Sequence, residues 1–190
     1  IVTYPLYTGG IEFQLQEKIK ATSNLFNYAA INGGTTADVK EFDGLSKLLK
    51  GKSTEYNTGD SAKIIDLSNT TALDTNHKYF IDMMNEFLSG LDGKPGIIAS
   101  NSIMIARLKS IAFRAGYLTK SEDNFGKAVQ GYDDIIFVDL GKYHNGTKSD
   151  NVVPIYDSGD NTGLTDLYTM TLGLDGFHGV SLSGGNIIDT

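Results

Sequence analysis

The chain contains no cysteine and no tryptophan among its 190 residues. The first absence excludes disulfides, thiolate nucleophiles and cysteine-ligated zinc or iron at once, and is compatible with a reducing compartment. Arginine is nearly missing too, with only Arg107 and Arg114. With 16 basic residues against 23 acidic ones the formal net charge is −7. That balance argues against a surface that neutralises phosphates, so neither sequence-independent nor sequence-specific nucleic-acid binding is expected. No apolar run approaches the roughly 20 residues a membrane helix needs, and no basic segment leads into a short apolar one as in a signal peptide. Apolar residues at 40% and charged residues at 21% are ordinary for a globular protein. A chain of this length buries on the order of 70% of its unfolded surface and can form one large domain or two small ones.

What is present is helical periodicity. Ile11, Leu15, Ile19, Thr22, Phe26 and Ala29 with Ala30 recur at three-and-four spacing, which predicts a one-sided helix over Ile11 to Ile31, roughly 30 Å long at about 1.5 Å per residue. Gly33 and Gly34 are expected to end it through left-handed or unrestricted backbone angles. Before it, Ile1 to Gly10 alternates like an extended segment. After it, Phe42, Leu45, Leu48 and Leu49 predict a short helix capped by Gly51, and Lys52 to Thr71 a surface loop with one short strand around Ile64, Ile65 and Leu67. A second long helix is expected over Asp74 to Leu91, with Asp74 favouring the helix dipole and Gly93 and Pro95 stopping it. Gly96 to Ala99 reads as a buried strand, and Ser100 or Asn101 as the cap of a third helix that turns Met104, Leu108, Ile111, Ala112 and Ala115 inward and ends at Gly116. Ile135 to Val138 and Val152 to Tyr156 read as strands, and Gly141 to Asp150 as a polar connection. The runs Leu167 to Leu172 and Phe177 to Leu182, around Gly173 to Gly176, carry a hairpin signal. Helix, buried strand and helix in succession imply an α/β layer.

The segments EFQLQEKIKATSNLFNYAAI, EFDGLSKLLKGKSTEYN and KPGIIASNSIMIARLKSIAFRAGYLT together resemble the major capsid proteins of tailed bacteriophages, whose Hong Kong 97 fold is shared with encapsulin shells. The resemblance implies an α+β protein with a spine helix and three chain regions. Residues 1–41 would belong to the peripheral domain, 42–166 to an axial α/β domain, and 167–190 to return strands of the peripheral domain. It also implies a piece of a longer protein, without the arm and extended loop before the spine helix, and hence a monomer or weak oligomer on its own. The implied function is a structural, non-enzymatic subunit of a DNA-containing icosahedral shell, found in the virion and assembled in the bacterial cytoplasm. Its partners would be copies of itself in hexamers and pentamers, with scaffold, portal and decoration proteins. An encapsulin-type compartment is the alternative within the fold.

No motif in the chain points to chemistry, and no catalytic, cofactor-binding or metal residue is assigned. His77, His144 and His178 lack the spacing of a metal pair or a base with its orienter. The loop from Asp157 to Asp166 offers oxygens for a hard cation but lacks the ligand spacing of an EF-hand. It is the site to suspect if the protein is instead a small α/β ligand-binding module or enzyme. Asp133 and Asp134, read as neighbours in an extended segment, would point to opposite faces. Gly33, Gly34, Gly184 and Gly185 form no nucleotide-binding signature, and the acceptor triplets at Asn69 and Asn145 carry no meaning without secretion. Tyr56, Tyr117, Tyr132 and Tyr143 are candidates for interface anchors or for packing at the edge of the core.

Overall fold

The computed structural model describes residues 6–36, 42–56, 64–116, 118–122, 128–159 and 161–178, with the backbone alone at 6–9, 118–122 and 128–129. It is a mixed α+β structure of two compact units. Among the described residues the first unit comprises 6–48 and Gly141–Val152, and the second 49–140 and 153–178. Both units are therefore discontinuous in sequence. The units divide the chain differently from the expected regions 1–41, 42–166 and 167–190: the hairpin after Gly141 clusters with the long helix, and 167–178 clusters with the α/β layer.

The first unit is built on α1 (Leu6–Asn32), a helix of 27 residues and about 40 Å. It starts before the expected Ile11, so the segment up to Gly10 is helical from Leu6 rather than extended, and residues 1–5 lie outside the described residues. Glu12, Gln14, Leu15, Gln16, Glu17, Lys18, Lys20 and Ala21 are all good helix formers, and their summed propensity carries the helix back through Gly9 and Gly10. Its end is set by a close backbone crossing. The Gly33 amide donates to the Ala29 carbonyl at 2.8 Å, and the Gly44 amide donates to the Gly33 carbonyl at 2.8 Å. A Cβ on Gly33 would sit 2.6 Å from the Phe42 carbonyl oxygen, and one on Gly44 would sit 2.6 Å from that of Ile31. The helix ends before Gly33 as expected, but neither Gly33 nor Gly34 takes a positive φ, so no left-handed cap forms; the glycines at 33 and 44 let two backbones touch.

Asp43 fastens the crossing, accepting at one oxygen from the Thr35 amide (3.0 Å), the Thr35 hydroxyl (2.9 Å) and Lys47 Nζ (2.7 Å). The short helix α2 (Leu45–Leu49) follows, and the division between units falls at its last residue.

The second unit holds α3 (Thr70–Ser89), β1 (Ile97–Ser100), α4 (Ser102–Arg114), β2 (Leu118–Glu122), β3 (Ala128–Tyr132) and β4 (Ile135–Asp139), in that order. The chain then makes β5 (Lys142–His144) and β6 (Ser149–Asn151) in the first unit, and β7 (Tyr168–Met170) closes the second. Five strands form one mixed sheet in the order β2-β3-β4-β1-β7, in which only β1 and β4 run parallel. Leu73, Ile81 and Met84 of α3, Ile98 of β1, Met104, Ile105, Leu108 and Ile111 of α4, Tyr132 and Ile135 make one buried cluster. The apolar row predicted for α4 is thus the row it buries, whereas α3 buries Leu73, Ile81 and Met84 and packs Phe80, Phe87 and Leu88, partly buried, against the same cluster. The start of α3 moves back to Thr70 because Asn69 caps it, accepting from the Ala72 amide at 3.0 Å. Asp74 is consequently a second-turn residue and pairs with Arg114 Nε of α4 at 2.6 Å.

Three strand expectations are corrected. Val152 to Tyr156 is not a strand; its backbone bends, and only Ile155 bridges to Thr165. No strand forms at Ile64 to Leu67. The hairpin expected across Gly173 to Gly176 is replaced by a tight loop, in which the Phe177 amide donates to the Thr171 carbonyl at 2.7 Å, while Tyr168 to Met170 pairs antiparallel with Ile97 to Ala99. Its second arm beyond His178 lies outside the described residues.

Candidate assembly surfaces

Amphipathic helices fold by covering their apolar face, and α1 covers only part of its own. Near its C-terminal end Ala30 and Ile31 are buried, Phe26 faces Phe42 with ring centroids 6.2 Å apart, and Tyr28 stacks on Tyr143 of β5 at 3.8 Å. Asn32 Nδ2 donates to the Val152 carbonyl at 2.7 Å, tying the helix end to the return of the β5-β6 hairpin. Towards the N-terminus nothing among the described residues continues this cover. Every residue from Gly10 to Ser23 is exposed, and Ile11, Leu15 and Ile19 extend the same apolar row into solvent at 66%, 57% and 47% exposure. Phe13, 63% exposed, points the other way on the wheel, so the helix is less one-sided than its main row suggests. Burying each of these side chains is worth about 1.5–3 kcal/mol.

In the second unit the outward row of α4 presents Ile103 and Phe113, and Ser102, Ile103, Ala106, Arg107 and Ser110 line a shallow open depression. The loop of Leu172 to Phe177 places Leu174 at its tip, 88% exposed. The internal gap of this unit, lined by Phe80, Ile81, Met84, Ile98, Leu108 and Ile111 among others, measures about 10 Å³. That is at the lower limit of the space one water molecule needs, and the lining is apolar, so the gap is a packing imperfection of the core.

The titratable candidates lie apart. His77 Nδ1 lies 3.1 Å from the Leu73 carbonyl within α3, His144 Nδ1 accepts from the Gly146 amide, and His178 Nδ1 lies 3.0 Å from the Gly176 carbonyl. Among the described residues no group of three or more histidines and carboxylates converges as a metal site. In the loop from Asp157 to Asp166, Asp166 accepts from the Tyr156 hydroxyl at 2.8 Å, and burial with that carboxylate beside it pushes the Tyr156 phenol up. Its backbone carbonyl is used as well, by the Ser100 hydroxyl at 2.7 Å, and Asp160 lies outside the described residues.

Asp133 and Asp134 are not in an extended stretch but form the two-residue turn between β3 and β4, both with positive φ (50° and 62°), and Lys94 Nζ lies 3.2 Å and 3.8 Å from them. Of the four tyrosines singled out, Tyr143 is inside the Tyr28 stack, where burial pushes its phenol up to about 12. Tyr132 is a core residue whose hydroxyl donates to Asn85, Tyr56 packs on Phe87, and Tyr117 lies outside the described residues.

What the sequence did not reveal is which apolar surface stays bare. No family profile, curated protein or solved structure matches the chain.

Proposed function

We propose that the protein is a structural subunit of an icosahedral shell of the tailed-phage capsid type, with no catalytic role. The observation that carries the reading is the apolar row of α1, a long helix that among the described residues packs at its C-terminal end and leaves Ile11, Leu15 and Ile19 exposed. Such surface is stable in solution only at a cost, and a contiguous row of it marks a protein-protein contact. The order of the parts supports the same reading: a long helix leads into an α/β unit, and the chain then returns to the helix as a hairpin. A net charge of −7 suits a shell that encloses DNA without gripping it.

In this reading the subunit assembles in the bacterial cytoplasm, alone or around a scaffold, by burying the α1 row against neighbouring copies. Electron microscopy of the full open reading frame encoding this sequence, expressed with and without its upstream neighbour, tests it. Capsomer rings or closed shells are expected, and Leu15→Asp should prevent them while leaving the subunit's circular dichroism unchanged. Uniform small particles under every assembly condition would overturn the reading.

A further inference from the structure

The chain contains two Asn-Gly pairs, Asn32-Gly33 and Asn145-Gly146, and their surroundings differ in the way that matters for the chemistry of that dipeptide. An asparagine followed by glycine can cyclise, because the next backbone nitrogen reaches the side-chain carbonyl carbon without a Cβ in the way. At Asn32 this is blocked. The Gly33 amide is committed to the Ala29 carbonyl at 2.8 Å, and the Asn32 amide group is anchored on the Val152 carbonyl at 2.7 Å.

At Asn145, in the exposed turn between β5 and β6, both groups are again hydrogen-bonded, but the glycine amide faces a base instead of a carbonyl. The Gly146 N–H donates to His144 Nδ1 at 3.0 Å, an imidazole nitrogen able to take the proton. Asn145 Oδ1 accepts from both the Thr147 and Lys148 amides at 3.0 Å, which polarises the carbonyl and holds two donors where an oxyanion would develop. Asn145 Nδ2, the leaving nitrogen, donates to Asp150 Oδ2 at 2.8 Å, and that carboxylate is paired with Lys148 at 3.2 Å.

We propose that Asn145 is a site of self-catalysed deamidation, with His144 as the general base. The Gly146 nitrogen passes its proton to His144 Nδ1 and bonds to Asn145 Cγ. The tetrahedral adduct, its oxygen held by the Thr147 and Lys148 amides, collapses with cleavage of the Cγ–Nδ2 bond. The departing nitrogen takes the proton from the imidazolium and leaves as ammonia. Water then opens the cyclic imide at either carbonyl, leaving aspartate or isoaspartate at position 145. The product places a new carboxylate beside Asp150 and, as isoaspartate, lengthens the backbone inside a turn whose register is held by the pairing of His144 with Ser149. This inference is independent of the shell reading.

The test is peptide mapping by mass spectrometry of the intact protein aged at neutral pH, beside a free peptide spanning Lys142 to Asn151. Loss of ammonia at Asn145 in the folded protein should run at least about tenfold faster than in the peptide, as a positioned general base provides, with Asn32 intact over the same period. His144→Gln should bring the folded rate down to that of the peptide, and His144→Ala with added imidazole should recover part of it, a rescue that a merely structural histidine would not show. A folded rate equal to or below that of the peptide, or a His144→Gln variant as fast as the parent, would overturn the proposal. His144 is exposed, so loss of the fold is not expected to obscure the comparison.

Discussion

Replacing Asn101 with alanine should be among the most damaging single changes in the second unit, although the residue is polar and touches no candidate surface. Asn101 is fully buried between β1 and α4. Its Oδ1 caps α4 by accepting from the Met104 amide at 3.0 Å, while its Nδ2 donates to the Thr165 hydroxyl at 2.7 Å and the Val153 carbonyl at 3.2 Å. Removing the cap costs about 1 kcal/mol. Leaving the Val153 carbonyl without its donor in a site closed to water costs about 1–3 kcal/mol more, and Thr165 loses less because its hydroxyl still donates to the Pro154 carbonyl at 2.7 Å. Together these amount to about 3 kcal/mol, a large share of the roughly 5–15 kcal/mol by which domains are stable. With a urea slope of about 2 kcal/mol/M, the unfolding midpoint should fall by about 1.5 M at unchanged slope. Asn101→Asp sharpens the test: it keeps the cap but turns a carboxylate oxygen towards the Val153 carbonyl, and should cost at least as much. A loss under about 1 kcal/mol for the alanine variant, or an aspartate variant as stable as the parent, would refute the reasoning.

Asp134→Gly should stabilise the protein by about 1 kcal/mol in a urea titration, because a non-glycine residue at positive φ is strained by about that much and the exposed contact with Lys94 at 3.8 Å contributes little. Gly44→Ala should destabilise the first unit by about 2 kcal/mol or more, seen as lost amide protection at the C-terminal end of α1, since the added methyl meets the Ile31 and Gly33 backbones rather than movable side chains. Lys47, with the amide and hydroxyl of Thr35, holds the Asp43 carboxyl down to about 2 from the usual 3.8. The contact should therefore be intact above pH 4 and be lost as the pH falls from about 4 through 2, which an NMR titration of Asp43 and the Thr35 amide would follow; Asp43→Asn should remove that pH dependence.

The elements legible in the sequence are those whose pattern is local. The row of α4, part of that of α3, a cap at Ser100 or Asn101 and the apolar runs of β1 and β4 all follow from spacing over a dozen residues or fewer. Among the strands that were missed, Leu118–Glu122 and the pair Lys142–His144 with Ser149–Asn151 are mostly polar, and Ala128–Tyr132 is short and interrupted by Gly131; all become strands through pairing with a neighbour. Tyr168–Met170 was legible as a strand but not its partner, because the edge of β1 lies some 70 residues away in sequence and an Asp-Gly turn signal stood next to it. Gly33 was legible only as a helix-ending glycine, and Gly44 carried no reading, for a related reason: a close approach of two backbones has no local signature, whereas a helix-ending glycine does. The bare row of α1 was legible as an apolar face, but whether anything covers it is a tertiary fact.

The discontinuity of the first unit has a consequence for how the protein is made. The stacking partner of Tyr28 is Tyr143, so the helix leaves the ribosome long before its cover exists. During that interval the whole of the second unit up to Leu140 is being synthesised, and closing a loop of such length costs about 4 kcal/mol of chain entropy unless intervening structure shortens it. Folding of the sheet between Ile97 and Asp139 does so, since it replaces most of a flexible loop with a compact body. Until β5 emerges the nascent chain has only Phe42 and its neighbours against the apolar row of α1, which makes α1 the natural place for a chaperone to hold it and for premature association between neighbouring nascent chains to begin.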